Sequence, residues 1–286
     1  MPVLPTFVGV TPTAHDRNHG AGLRLTVLGC RAGMPEPGWP SSGYLVHLRD
    51  GEVLLDCGPG VAAKAAARAA ELSAVFISHM HTDHCLDLLV LGKTLTQRPL
   101  PATRLPVYVP AGAAATLRRL NELFPLGGDG PGEHPADHVF RDVFDVVEYA
   151  PGEAIRVGEA TIEPVAMRHR LPCCGFRVEA GGQSLAYSAD TTTTPAFEKL
   201  AGGVDLLLAE ATLEEPDRTG HGHLSAGEAG RLATDHGVRD LLLTHWAHTD
   251  GGWLDAQVAR ARAQFDGRID VAVPDHTFHV SETQEP

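Results

Sequence analysis

The feature that most constrains this chain is a run of seven residues that contains three histidines and an aspartate, Ser78-His79-Met80-His81-Thr82-Asp83-His84. It directly follows the apolar segment 74–78, which has the length and composition of a buried strand, so the cluster is predicted at that strand's C-terminal end. Nitrogen and oxygen ligands crowded on one loop would stay unsatisfied unless a cation held them together. The chain is therefore expected to fold around a metal site.

Four ligand-capable side chains on one loop cannot all reach one small cation with good geometry. The spacing therefore suggests two adjacent cations that need further ligands from distant parts of the chain. Three candidates stand at the ends of predicted strands, where loops gather to form sites: His169, Asp190 and His245.

Sheet and helix signals interleave along the chain. Strands are predicted at 23–29, 41–48, 52–56, 74–78, 106–109, 146–149, 160–167, 174–180, 184–188, 205–209 and 240–244. Helices are predicted at 61–72, 113–123, 226–236 and 254–265. We expect residues 1–20 to be a flexible segment, residues 21–281 to form a single domain, and the Gly/Pro-rich stretch 126–137 to be a loop.

Composition excludes several classes of protein. The net charge of −13 repels long polyanions, which disfavours a large nucleic acid as a partner, whereas a small anionic substrate remains compatible with a site that holds cations. No apolar run reaches the length of a membrane span, and residues 1–20 lack the pattern of a secretory signal. The five cysteines show no C-x-x-C spacing, so reduced thiols and a cytoplasmic location are expected.

The order of the motifs H-x-H-x-D-H, a later His, Y-S-x-D-T and L-T-H resembles the metallo-β-lactamase superfamily, in its ribonuclease Z-like branch. The segments SSGYLV, LLDCGPG and HLSAGEAGRLA are most similar to bacterial atypical class II cyclic-nucleotide phosphodiesterases. The resemblance spans about Leu23 to Val280. It implies an α/β fold, the four-layered αβ/βα sandwich, with the site at the strand edge between its halves. It also implies two divalent metal ions, zinc first with manganese or iron as alternatives, and a homodimer.

The resemblance further implies a role for each motif residue. It assigns one metal to His79, His81 and His169, a second to Asp83, His84 and His245, and a bridging position to Asp190. His223 matches the family's proton donor to the leaving oxygen, so the predicted catalytic residues are His223, Asp83 and Asp190. The alternative for His223 is a solvent histidine beside the helix start, where Ser225 and Glu228 form a capping box signature; the neighbouring His221 is the weaker donor candidate.

Four other positions stay open in the sequence. Asp56 either orients the ligand loop or caps the turn before Gly58. His248 is expected on a loop surface, and His134 and His138 are expected to be solvated loop histidines.

Ala189 is a departure from the family pattern. It stands where the branch usually has glycine, a change that is tolerated unless the backbone there needs a positive φ.

The leading functional hypothesis is a phosphodiesterase of small (cyclic) nucleotides such as cyclic AMP, in which two cations activate a bridging water and His223 protonates the leaving ribose oxygen. A lactone, thioester or aryl-ester hydrolase on the same site is the alternative, and a metal-binding protein without catalysis is the third possibility. Only 21 positions separate His169 from Asp190 (190 − 169), which leaves no room for the long tRNA-binding arm of ribonuclease Z. Processing of tRNA is therefore disfavoured.

Overall fold

The computed structural model describes residues 22–96, 103–124 and 139–280, in which two seven-stranded sheets pack face to face. The first sheet has the spatial order β14 (Thr277–His279), β1 (Arg24–Gly29), β2 (Gly43–Leu48), β3 (Gly51–Leu55), β4 (Leu72–Phe76), β5 (Leu105–Pro110) and β6 (Phe144–Tyr149). The second has the order β13 (Arg268–Val271), β12 (Asp240–Thr244), β11 (Leu206–Glu210), β10 (Gln183–Tyr187), β9 (Cys173–Ala180), β8 (Ala160–Met167) and β7 (Ile155–Val157). The predicted segments 1–20 and 126–137, with His134 and His138, lie outside the described residues.

Helices cover the outer face of each sheet. They are α1 (Ala62–Ala67), α3 (Asp87–Thr96), α4 (Ala113–Leu123), α5 (Phe197–Ala201), α6 (Ala226–Asp235) and α7 (Gly251–Arg262), whereas α2 (Thr82–Cys85) is a single turn in the loop after β4 and Val139–Val143 is a π-helical turn. Helices α1, α3 and α4 share an apolar cluster with the first sheet, and α5, α6 and α7 pack on the second. The layers run helix, sheet, sheet, helix, which confirms the predicted αβ/βα sandwich. No helix among the described residues is long and apolar enough to cross a membrane.

The core between the sheets is built from apolar side chains of both inner faces. Phe176 of β9 contacts Phe76 of β4 and Tyr149 of β6, with ring centroids 5.5 and 5.8 Å apart. Edge-on aromatic pairs of this kind add to the free energy gained from burial alone. These contacts fix the position of one sheet against the other, so the loops at their common edge are brought together.

Strand direction places the candidate residues at that edge. Strands β3, β4, β5 and β6 are parallel to one another, as are β10, β11, β12 and β13. Parallel strands end on the same side of a sheet, so the loops after β4, β10 and β12 converge.

Several local predictions need correction: the helix predicted at 254–265 is observed at Gly251–Arg262, and α3 and α5 are additional helices. The Ala-rich stretch predicted as a helix over 61–72 is helical only over Ala62–Ala67, because Leu72 already begins β4 and the chain must turn back before it. Between Arg68 and Leu72 the pairing of β4 therefore outweighs the helix propensity of the sequence. Strands β7, β13 and β14 were not predicted, since they are short edge strands of mixed polarity whose pairing depends on neighbours far along the chain.

Candidate metal centre

All seven ligand candidates meet at the edge where the two sheets end. The histidine cluster occupies the loop after β4 and the first turn of α2. His169 lies in the short connection between β8 and β9, Asp190 follows β10, and His245 follows β12. Residues that are up to 166 positions apart in sequence (245 − 79) thus form one site.

A first group of ligand atoms belongs to His79, His81, His169 and Asp190, and these atoms all lie within 4.8 Å of one another. Nδ1 of His81 lies 3.0 Å from Nε2 of His79 and 3.1 Å from Nε2 of His169. Three imidazole nitrogens that converge at this distance are arranged as a cation's ligands are. This group could hold one divalent metal ion.

A second group consists of Asp83, His84 and His245, again within 4.8 Å of one another. Nε2 of His84 lies 3.3 Å from Nε2 of His245, and Oδ2 of Asp83 lies 3.6 and 3.5 Å from these two nitrogens. This group could hold a second ion beside the first.

Asp190 lies between the two groups and turns one oxygen to each. Its Oδ2 is 3.6 Å from Nε2 of His79 and 3.9 Å from Nε2 of His169, on the side of the first group. Its Oδ1 is 3.3 Å from Nε2 of His84 and 3.4 Å from Nε2 of His245, yet it makes no hydrogen bond with any described residue although it is buried. A buried carboxylate oxygen without a hydrogen bond is costly unless a cation binds it. The donor set therefore fits a pair of divalent ions bridged by Asp190.

Burial and neighbouring charges favour the cation-binding forms of His79 and Asp190. Burial lowers the pKa of His79 well below its ordinary value, and the nearby His84 lowers it further, so this imidazole is neutral. Burial raises the pKa of Asp190, but His245 and His84 outweigh burial and hold it well below its usual range. Neutral imidazoles and ionised carboxylates are the forms that bind metals.

Asp56 holds the ligand loop from behind. The fully buried carboxylate accepts hydrogen bonds from the Ser78 backbone N–H at 2.7 Å, the Ser78 hydroxyl at 2.9 Å and the Tyr187 hydroxyl at 2.7 Å, and lies 2.7 Å from Nδ1 of His84. The sequence left open whether Asp56 orients the ligand loop or caps the turn before Gly58. The structure shows that it contacts the ligand loop. Such a partner fixes the tautomer that leaves Nε2 of His84 free for a cation.

Other ligands are held in the same way by backbone groups. The Gly33 N–H donates to Oδ2 of Asp83 at 2.8 Å, and Nδ1 of His169 lies 2.9 Å from the Gly222 carbonyl. A Cβ on Gly222 would lie 3.0 Å from Nδ1 of His169 and φ there is +85°, so both the close approach and the backbone conformation favour glycine.

His223 lies beside the ligands without being part of either main group. Its Nδ1 is 3.9 Å from Oδ2 of Asp190, and its ring centroid is 5.2 Å from that of His169 and 5.7 Å from that of His245. It precedes α6, where the predicted capping box of Ser225 is present. The setting suits a proton donor that faces the site.

Glu210 sets the charge state of His223. The carboxylate is buried at the end of β11 and lies 3.0 Å from Nδ1 of His223. Burial opposes charging the imidazole, but the charge and hydrogen bonds of Glu210, with the charge of Asp190, outweigh it and raise the pKa of His223 to about 9. The contact with Glu210 therefore favours the protonated imidazole. Sequence reasoning missed Glu210, although an acidic residue that ends the all-apolar strand Leu206–Glu210 is a usable signal.

Three residues at the site have a left-handed backbone. Asp56, Ala189 and His245 have φ values of +60°, +49° and +60°. Non-glycine residues adopt this region at a cost, and such residues concentrate at functional sites. From the sequence, alanine in place of glycine at position 189 is expected to be tolerated unless φ there is positive. The positive φ shows that Ala189 is held in a conformation that glycine would adopt without strain.

Two histidines considered from the sequence, His221 and His248, lie outside the ligand groups. His221 is exposed and hydrogen-bonds to Thr219, and His248 is exposed with its ring against Trp253.

Comparison with known proteins places this geometry in a family. A family model described as the β-lactamase superfamily domain matches residues 52–246. Protein Rv1339 of Mycobacterium tuberculosis is 35% identical over 271 residues, 92% of this chain and 94% of that protein. Ribonuclease Z of Mycobacterium bovis is 30% identical over 275 residues, 90% of this chain and 98% of that enzyme.

A solved structure agrees with the sequence relatives. The crystal structure of the metallo-β-lactamase fold protein YhfI from Bacillus subtilis matches with a TM-score of 0.76 and 27% identity, covering 90% of this chain and 99% of that one. Since the family model covers more than half of the chain and relatives extend over nearly all of it, the chain belongs to the metallo-β-lactamase superfamily, as its motifs indicated.

Proposed function

We propose that this protein is a binuclear metal-dependent phosphodiesterase that hydrolyses small nucleotides such as cyclic AMP. The family and the His/Asp cluster support a metal-dependent hydrolase. A relative named ribonuclease Z supports chemistry on a phosphodiester rather than a carbon-centred bond. Strands β9 and β10 take up most of the 21 positions between His169 and Asp190, which leaves no room for a long tRNA-binding arm and favours a small substrate.

Divalent ions held by the two ligand groups would lower the pKa of water and offset negative charge on the phosphoryl oxygens. The chain's own residues do the rest. Asp190 spans both groups and keeps them at a fixed separation, while Asp56 and the Gly222 carbonyl orient ligands on either side. His223 holds a proton beside the ligands, where a leaving oxygen can take it.

The observation that carries the proposal is the position of His223, whose Nδ1 lies 3.0 Å from the buried carboxylate of Glu210 and 3.9 Å from Oδ2 of Asp190. A ribose alkoxide leaves poorly unless it is protonated, whereas a thiolate or a phenolate can leave without a proton. A positioned imidazolium therefore suits a phosphodiester with a sugar leaving group better than it suits a thioester or an aryl ester.

The proposal is tested on the purified protein by metal analysis and by hydrolysis of cyclic AMP and bis(p-nitrophenyl) phosphate. We expect about two divalent ions per chain, with turnover of both substrates, and loss of turnover in Asp190→Ala because that variant removes the shared ligand. Bound metal without turnover of any phosphodiester would overturn the proposal in favour of a lactone, thioester or aryl-ester substrate. Absence of bound metal would overturn the site itself.

The proton donor is tested by the leaving group. His223→Ala should lower kcat/KM for cyclic AMP by about 100-fold or more, and should affect bis(p-nitrophenyl) phosphate much less, because nitrophenolate needs no proton. His221→Ala, at an exposed neighbour, is the matched control. Equal losses on the two substrates would contradict the role of His223.

A further inference from the structure

Thr212 lies between the carboxylate of Glu210 and the ligand His245. Its Oγ1 is 2.7 Å from Nδ1 of His245, 2.6 Å from Oε2 of Glu210 and 3.1 Å from the backbone oxygen of His245. The residue follows β11 and is half-buried. No motif in the sequence singles it out.

Proton counting determines the direction of these hydrogen bonds. A threonine hydroxyl has a single proton to donate. The shortest of the three contacts is to Oε2 of Glu210, an acceptor, so the hydroxyl proton points there. Oγ1 then accepts from Nδ1 of His245, and the proton of that imidazole is on Nδ1.

The resulting tautomer leaves the lone pair of Nε2 free. That nitrogen faces the second ligand group, 3.5 Å from Oδ2 of Asp83, 3.4 Å from Oδ1 of Asp190 and 3.3 Å from Nε2 of His84. The opposite arrangement, with Thr212 donating to Nδ1, would direct an N–H at Nε2 of His84 and close the position to a cation.

The other two members of the second group have corresponding partners. Asp56 lies behind the ring of His84, and the Gly33 N–H lies behind Asp83. Thr212 takes the corresponding position behind the ring of His245.

We propose that Thr212 is a positioning residue that fixes His245 in the tautomer and orientation that bind a cation at the second ligand group. Thr212 also connects this ligand to Glu210, so that one buried carboxylate orients both His245 and the proton donor His223. The inference rests on the metal part of the proposed function and does not depend on its substrate.

The test is zinc binding to the metal-free full-length chain, measured by competition with a chromophoric chelator and by metal analysis. Thr212→Val keeps the shape and removes the hydroxyl, and should weaken the second zinc ion about 10- to 100-fold while the first binds as in the wild type. At a zinc concentration just sufficient to load both positions of the wild type, the zinc content of Thr212→Val should fall from about two ions per chain towards one. Thr212→Ser keeps the hydroxyl and should bind both ions almost as the wild type does.

Thr94→Val is the matched control, because Thr94 is half-buried like Thr212 but lies on α3, where its hydroxyl donates to the Val90 carbonyl of the same helix. It should bind zinc as the wild type does. Thermal unfolding of the metal-free proteins identifies a folding defect, and Thr212→Ala provides a second variant without the hydroxyl.

Two results would overturn the proposal. One is wild-type affinity for both ions in Thr212→Val and Thr212→Ala. The other is a serine variant that loses the second ion as the valine variant does. Failure of the proposed function would give a different result, because the wild type itself would then bind no zinc, or would bind zinc and hydrolyse no phosphodiester.

Discussion

At the scale of single residues, the carboxylate of Glu210, which no sequence motif singles out, contacts three residues at the site. It accepts a hydrogen bond from the Thr191 N–H at 2.7 Å beside Asp190, lies 3.0 Å from Nδ1 of His223, and accepts from Thr212. A charge this deeply buried is costly unless it is paired and hydrogen-bonded. These contacts offset that cost and keep His223 charged.

The pH dependence of activity follows from this pairing. The raised pKa means that His223 is protonated below about 9 and loses its proton above, so activity should fall as pH rises through the alkaline limb. Bound cations oppose the effect of Glu210, and we expect the limb between about 6.5, the ordinary value for histidine, and 9. Glu210→Gln removes the charge and should move the limb of kcat/KM down by about one pH unit or more. An unchanged limb, measured on cyclic AMP with metal-loaded protein, would contradict this.

At the scale of elements, the packing of α6 against α7 depends on a glycine. A Cβ on Gly230 would lie 2.5 Å from the backbone oxygen of Ala261, so the two helices approach more closely than a side chain allows. At Gly227, in the same helix, the nearest atom to such a Cβ is 3.9 Å away. The two glycines have the same helix propensity and different surroundings.

This pair makes a matched test of packing against propensity. Alanine is favoured over glycine within a helix by up to about 1 kcal/mol, so Gly227→Ala should leave the free energy of unfolding unchanged or raise it. Gly230→Ala should lower it by roughly 1–3 kcal/mol, because backbone must move to relieve the overlap. Urea unfolding measures both. A stabilised Gly230→Ala would show that the helices can separate at little cost.

At the scale of the whole molecule, the ligands come from both sheets. His79, His81, Asp83 and His84 follow β4 of the first sheet, and His169, Asp190 and His245 follow strands of the second. A cation bound by both sets would tie the two halves together and would also offset repulsion between Asp83 and Asp190. Metal binding and folding stability are therefore coupled.

Removal of metal should lower the melting temperature. Binding at a hundredfold excess over Kd stabilises the folded state by about 2.7 kcal/mol, which for a chain of this size corresponds to roughly 5–10 °C. Differential scanning calorimetry of chelated and zinc-loaded protein measures the shift, and Asp190→Ala should reduce it. Equal melting temperatures for the chelated and loaded wild type would contradict the coupling.

Much of this architecture could be predicted from the sequence because its signals are local. The period of apolar residues predicts the strand at 160–167 and the helix at 113–123 with the bounds observed. The spacing of the histidine cluster predicts a metal site, and strand-terminal positions identify His169, Asp190 and His245 as its distant candidates.

Only the tertiary structure determines which side chains belong to each ligand group and which residues orient them. The two oxygens of Asp190, the contact of Asp56 with His84, and the chain from Glu210 through Thr212 to His245 depend on distances between segments far apart in sequence. The same holds for the positive φ of Ala189, which the loop after β10 adopts to bring Asp190 between the groups. A local sequence pattern indicates secondary-structure propensity and burial. The orientation of the ligand side chains depends instead on how the two sheets pack, and no short segment of the sequence encodes that packing.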